Sequence, residues 1–129
     1  MFSGLWPGND GDLDAVGVED VDLVVAGDDP VELLRQVVER VVSMHASDRF
    51  LVPGAKLEDL AKAEGSAGYS SILQHGVTGK GLNDYASIFK LLRQANYSGW
   101  ISIEDGMNGM EEMAQSLAFL RASVAHYWA

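Results

Sequence analysis

The 129-residue chain contains no cysteine, which excludes disulfide staples, thiolate catalysis and thiolate-ligated zinc. Basic residues are scarce: 9 stand against 19 acidic ones, for a formal net charge of −10. A surface this acidic is poorly suited to gripping phosphate backbones, so nucleic acid is not an expected partner. No apolar run approaches the roughly 18 residues that a membrane helix needs. The opening Met1-Phe2-Ser3-Gly4-Leu5 also lacks the basic and long apolar regions of a signal peptide. The expectation is a cytoplasmic protein with no membrane contact. What the chain does have is apolar content, 47%, enough for a packed single domain rather than a disordered one.

Residues 1–14 are rich in Gly, Asp and Asn without a period and read as a flexible N-terminal segment. Residues 15–26 interleave Val16, Val18, Val21 and Leu23-Val24-Val25 with carboxylates, compatible with a strand. Asp29-Pro30-Val31-Glu32 is a helix start: Asp29 can cap, Pro30 suits the first position and Glu32 fits a capping box. Leu33, Leu34, Val37 and Val38 supply its apolar stripe, and Val41 to Met44 then read as a buried strand. From Arg49 to Lys80 glycines punctuate the pattern, and only Lys56 to Glu64 looks helical. A connection this long is usually functional or carries an insertion. Regularity returns at Asn83-Asp84, with a stripe of Tyr85, Ile88, Phe89 and Leu92 running to about Asn96. Trp100 to Glu104 reads as a second strand, with the four residues before Glu104 expected to be largely buried. Asn108 can cap a last helix, with Met110, Met113, Leu117, Leu120 and Val124 on its inner face. The β/α alternation argues for a parallel sheet covered by helices.

Both clear strands end in a residue that metals favour: Val41-Val42-Ser43-Met44 leads into His45, and Trp100-Ile101-Ser102-Ile103 into Glu104. In parallel α/β proteins the chemistry sits at that C-terminal edge. A neutral imidazole and a carboxylate delivered there could hold a divalent cation. Lone histidines near apolar stretches are often structural, and Glu104 could equally be a solvated strand end, with Asp105 on the opposite face. Glu19, Asp20 and Asp22 form a further acidic group whose plain interpretation is a solvated loop. Gly76-Val77-Thr78-Gly79-Lys80-Gly81 superficially suggests a phosphate loop but lacks the GxxxxGK spacing, so a tight turn fits it better. His75 beside it could face a cleft or solvent, and His126 falls in the last helical turn.

Two stretches, Asp29 to Leu34 followed by Val41-Val42-Ser43-Met44-His45-Ala46-Ser47-Asp48, and Gly79-Lys80-Gly81 through Tyr97-Ser98-Gly99-Trp100 to Glu104-Asp105, resemble sugar phosphate isomerases/epimerases with the xylose isomerase-like barrel. The resemblance implies a partial (β/α)8 TIM barrel over residues 15–129, roughly strands six to eight with their helices, since a full barrel needs about 250 residues. It implies a divalent metal ion (Mn, Mg, Co or Zn) at the strand ends, with His45 and Glu104 as ligands and Glu104 also as a catalytic base. Glu19 aligns with the family's metal-binding Asp, though Asp20 or Asp22 could replace it, and an earlier Glu ligand has no counterpart. Arg49 is implied as a substrate contact. The implied chemistry is proton transfer next to the carbonyl of a sugar or sugar phosphate, with Lewis-acid support for the enediolate. The chain alone is expected to be inactive, with open strand edges that favour a homo-oligomer or pairing with a missing N-terminal half. Two alternatives are a non-catalytic barrel remnant or interaction module and a zinc-dependent abasic-site endonuclease-like protein; the acidic charge opposes the latter.

Overall fold

The computed structural model describes residues 16–18, 29–60, 72–104 and 108–129. Residues 1–14, the group Glu19, Asp20 and Asp22, the end of the expected helix after Leu60, and Asp105 lie outside the described residues.

Strand β1 (Val16–Val18) is followed by helix α1 (Pro30–Val37), a 3-10 turn (Val38–Arg40) and strand β2 (Val41–Ala46). Then come β3 (Arg49–Leu51), the short helix α2 (Leu57–Leu60), β4 (Leu73–His75), helix α3 (Tyr85–Gln94), β5 (Trp100–Ile103) and helix α4 (Met110–Tyr127). Strands β1, β2 and β5 form one sheet in that order, with both pairings parallel. The fold is mixed α/β with a small parallel sheet, as the alternation in the sequence implies.

The helix starts follow from their capping residues. Asp29 Oδ1 accepts the N–H groups of Val31 (3.0 Å) and Glu32 (3.3 Å), and Pro30 at the first helical position has no N–H to satisfy. The capping-box partner is diverted: Glu32 pairs with Arg35 on the exposed face instead. Asp84 caps α3 through the N–H (3.1 Å) and hydroxyl (2.7 Å) of Ser87. Those two bonds hold its carboxyl below the ordinary aspartate range. Because the folded value is depressed, the cap contributes fully above the unfolded pKa of about 3.9 and is lost as pH falls through the lower folded value. Asp84→Ala is therefore expected to cost about 1 kcal/mol at pH 7. Urea denaturation of the two proteins should show that difference vanish in strong acid. Helix α3 ends as Asn96 enters the left-handed region (φ 56°). There Tyr97 N–H bonds back to Leu92 O and Asn96 N–H to Arg93 O, a Schellman closure.

The core forms where α1, α3 and α4 cover one face of the sheet. Leu34 of α1, Ile88, Phe89 and Leu92 of α3, and Leu120 of α4 are buried with Met44 and Ala46 of β2, while Ile101 and Ile103 of β5 pack against them. Alternation along a strand puts Ser43 and His45 on the opposite face from Met44 and Ala46, and Trp100 and Ser102 opposite Ile101 and Ile103. Strand β5 is accordingly not largely buried. Trp100 is 84% exposed, and Val42 in β2 is exposed as well.

Two further expectations are corrected. The stretch from Arg49 to Lys80 carries a second, antiparallel sheet, in which Arg49, Phe50 and Leu51 face His75, Gln74 and Leu73. Each strand has three residues, too short for an apolar period to register. The inner face of α4 is also different. Its buried residues are Glu112, Ser116, Leu120 and Ser123, whereas Met110 is 81% exposed and Leu117 and Val124 also face outward. Gly109, not Asn108, holds the cap position, and no side chain caps it. The buried serines are satisfied: Ser116 Oγ accepts Thr78 N–H at 3.0 Å, and Ser123 Oγ donates to Phe119 O at 2.9 Å. Leu120→Ala should lower stability by about 2–4 kcal/mol. Leu117→Ala should stay within about 0.5 kcal/mol of the parent, both measured by urea denaturation.

Candidate metal and substrate site

The segment His45-Ala46-Ser47-Asp48-Arg49 leaves the C-terminal end of β2, and each of its residues holds a neighbouring element. Register places His45 opposite Ser102 and Ala46 opposite Ile103. Glu104, one residue past β5, donates its N–H to Ala46 O at 2.8 Å. Two residues beyond Ser102, Glu104 falls on the same sheet face as His45. Their side chains meet there, with His45 Nδ1 3.7 Å from Glu104 Oε2 and exposures of 51% and 54%. The two residues that stood 59 positions apart in the sequence thus form one pair at the strand ends.

An imidazole nitrogen and a carboxylate oxygen form a donor set suited to Zn or Mn, with weaker preference for Mg. The pair is solvent-accessible and close enough to share one cation, so these two residues fit a metal. Among the described residues, no group of three or more His, Cys, Asp or Glu side chains converges. The expected third ligand, Glu19, lies outside the described residues together with Asp20 and Asp22.

Arg49 begins β3, where its main chain is pinned on both sides. Its N–H goes to Asp48 Oδ1 (3.0 Å) and its carbonyl accepts Leu82 N–H (3.0 Å). His75 faces it across the antiparallel pair and is half-buried. His126 is exposed at the end of α4, edge-on to the Tyr127 ring. Trp128 Nε1 donates to Tyr97 O at 3.1 Å and ties the end of α4 to the approach of β5. Burial raises the pKa of Tyr97, keeping its phenol a donor to Trp100 O.

The Gly76 to Gly81 segment contains the tight turn its composition suggests, with Lys80 N–H bonded to Val77 O and Gly79 at φ 91°. Three of its other amides are turned inward, that of Thr78 reaching Ser116 Oγ. Those of Gly79 and Gly81 reach Asp48 Oδ2 at 2.9 and 3.0 Å, and that of Asn83 reaches Asp48 Oδ1 at 3.2 Å. Ser47 O accepts Asn83 Nδ2 (2.9 Å) and the Tyr85 hydroxyl. The joining of Asp48 to Gly81 and Asn83 has no local motif of its own. Asp48 stands two residues past β2, and an acidic residue so close behind a buried strand needs several donors if it is enclosed.

A family model for the xylose isomerase-like TIM barrel matches residues 20–123, beginning one residue after Glu19. Inosose dehydratases from two strains of Clostridium botulinum are each 38% identical over 85 residues. An inosose dehydratase from Clostridium beijerinckii is 32% identical over the same length. Each match takes in 64% of this chain but 27% of the relative, so the chain spans only about a quarter of the length of these curated relatives.

Proposed function

Because the chain belongs to the xylose isomerase-like TIM barrel family, we propose that it is the closing part, roughly strands six to eight, of a metal-assisted enzyme acting on a sugar or related polyhydroxy ketone. The observation that carries this is the His45–Glu104 pair, two metal-type donors 3.7 Å apart on neighbouring parallel strands. His45 would hold a divalent cation through its ring nitrogen and Glu104 through its carboxylate. Bound there, the cation would supply Lewis-acid stabilisation of negative charge on a substrate oxygen.

Glu104 is also the base. Its carboxylate removes a proton from the carbon next to the carbonyl, leaving the electron pair delocalised onto the carbonyl oxygen. Returning the proton to the neighbouring carbon, with a proton passing between the two oxygens, gives isomerisation; returning it to the opposite face of the same carbon gives epimerisation. Expelling the β-hydroxyl, which leaves with a proton as water, gives dehydration, the reaction that the inosose dehydratase relatives are named for. Both outcomes share the first step. Arg49 is the proposed substrate contact. The Gly79, Gly81 and Asn83 amides are engaged with Asp48 and that of Thr78 with Ser116. That supports a neutral polyol over a phosphorylated sugar.

Among the described residues the pair supplies two protein ligands, and a catalytic cation usually keeps three. With about a quarter of the relatives' length, the isolated chain is expected to show no turnover. Assay of the purified chain with inosose and excess Mn2+ tests this: no dehydration or isomerisation is expected, and turnover by the monomer would contradict it. A non-catalytic barrel module is the second candidate, favoured by the lack of a converging third ligand among the described residues. It differs in predicting no metal affinity that depends on His45 and Glu104.

A further inference from the structure

Two carboxylates are buried among the described residues, and Asp48, at 1% exposure, is the deeper. Hydrogen bonds offset the desolvation cost of an enclosed carboxylate. Glu112 Oε1 lacks a partner among the described residues, whereas both oxygens of Asp48 are engaged. The donors to Asp48 are peptide N–H groups. Oδ1 accepts from Arg49 (3.0 Å) and Asn83 (3.2 Å), and Oδ2 from Gly79 (2.9 Å) and Gly81 (3.0 Å). Concave sets of main-chain N–H groups are how backbones bind free anions. Here the anion comes from the chain itself, 31 to 35 residues before the loop amides it meets. The phosphate-loop look of Gly76 to Gly81 thus has a physical basis: the loop is an anion cradle, already filled.

The cradle is tied to the proposed site at several points. Asp48 stands three residues after His45, and Ala46 O between them holds the Glu104 N–H. Ser47 O holds Asn83 Nδ2, and Asp48 itself holds the Arg49 N–H. The loop glycine allows no substitute at the closest approach, since a Cβ on Gly81 would meet both Asp48 and Arg49 O inside 3.0 Å.

We propose that Asp48 is a positioning residue, an internal anion that occupies the amide cradle of residues 79–83 and thereby fixes Arg49 and the β2 end that carries His45. Its bearing on a metal rests on the function proposed above; the cradle itself does not.

Asp48→Gly in the full chain is the test, read by amide hydrogen exchange and by Mn2+ titration, each with and without formate. Protection of the Gly79 and Gly81 amides should fall about 10–100-fold. Formate at about 0.1 M should restore it by mass action, whereas chloride at equal ionic strength should not. Unchanged protection, or equal effects of formate and chloride, overturns the proposal. Should Asp48→Gly not fold, Asp48→Asn keeps the volume but presents an NH2 group to two of the amides. Protection should fall without any response to formate, and wild-type protection in that variant overturns the proposal. Mn2+ affinity should drop about tenfold in Asp48→Gly and return with formate. Wild-type affinity there overturns the positioning role. If the wild-type chain itself binds no Mn2+, the proposed function fails, and the exchange measurements alone decide the role of Asp48.

Discussion

Gly81→Ala is expected to cost about 3 kcal/mol, a large share of the stability of a small domain. A Cβ there would fall inside 3.0 Å of Arg49 O, Asp48 Oδ1 and Asp48 Cγ. None of these can yield cheaply. Arg49 O is a backbone atom bonded to Leu82 N–H, and Asp48 is enclosed and bonded to four amides. Moving the loop away also loses the Gly81 N–H bond, worth about 1 kcal/mol. Gly76 provides the contrast. A Cβ at Gly76 also comes inside 3.0 Å, but of atoms on the Phe50 ring, and a half-buried side chain can rotate. Gly76→Ala is expected to cost less than half as much. Urea denaturation midpoints of the two variants check both, and a smaller loss for Gly81→Ala would mean that the cradle is not rigid.

His45→Ala and Glu104→Ala are expected to do the opposite: to leave the fold alone and remove metal binding. Both side chains are about half exposed, and their 3.7 Å pairing contributes at most about 1 kcal/mol in solvent. Neither packs into the core formed by Leu34, Ile88, Phe89, Leu92 and Leu120. Loss of an outer partner of a metal ligand typically weakens a site about 10–100-fold, so loss of a ligand should cost at least that much in Mn2+ affinity. A similar loss from both variants places the two donors on one ion. A loss from Glu104→Ala alone would instead mark His45 as a structural residue with an incidental neighbour.

The elements that the sequence made legible are those with strong local signals. Asp29-Pro30 and Asp84 mark their helix starts through caps that need only the next few residues. The apolar runs ending in His45 and Glu104 mark parallel strands, and strand alternation then puts both residues on one face. The helix α4 face could not be read in the same way. Met110, Met113, Leu117, Leu120 and Val124 invite an apolar seam, yet Ser116 faces inward to hold Thr78 N–H and Phe119 packs against Gly79. With apolar residues on both sides, the helix has no single preferred face. Trp100 is exposed because strand parity decides its face over its hydrophobicity: it shares that face with Ser102 and Glu104, not with Ile101. The partners of Asp48 are illegible for a third reason. The loop amides that justify burying it lie 31 to 35 residues away, and no local pattern announces a partner at that distance.

The family and the α/β architecture rest on the match over residues 20–123 and on the parallel β1-β2-β5 sheet. The central functional claim is narrower, that His45 and Glu104 together hold one divalent cation. Mn2+ titration of the wild-type chain by isothermal calorimetry, repeated with His45→Ala and with Glu104→Ala, tests it most directly. The account predicts saturable binding of one Mn2+ per chain that either substitution weakens at least tenfold, with thermal midpoints unchanged. Binding that survives both substitutions, or no binding by the wild-type chain, would contradict it.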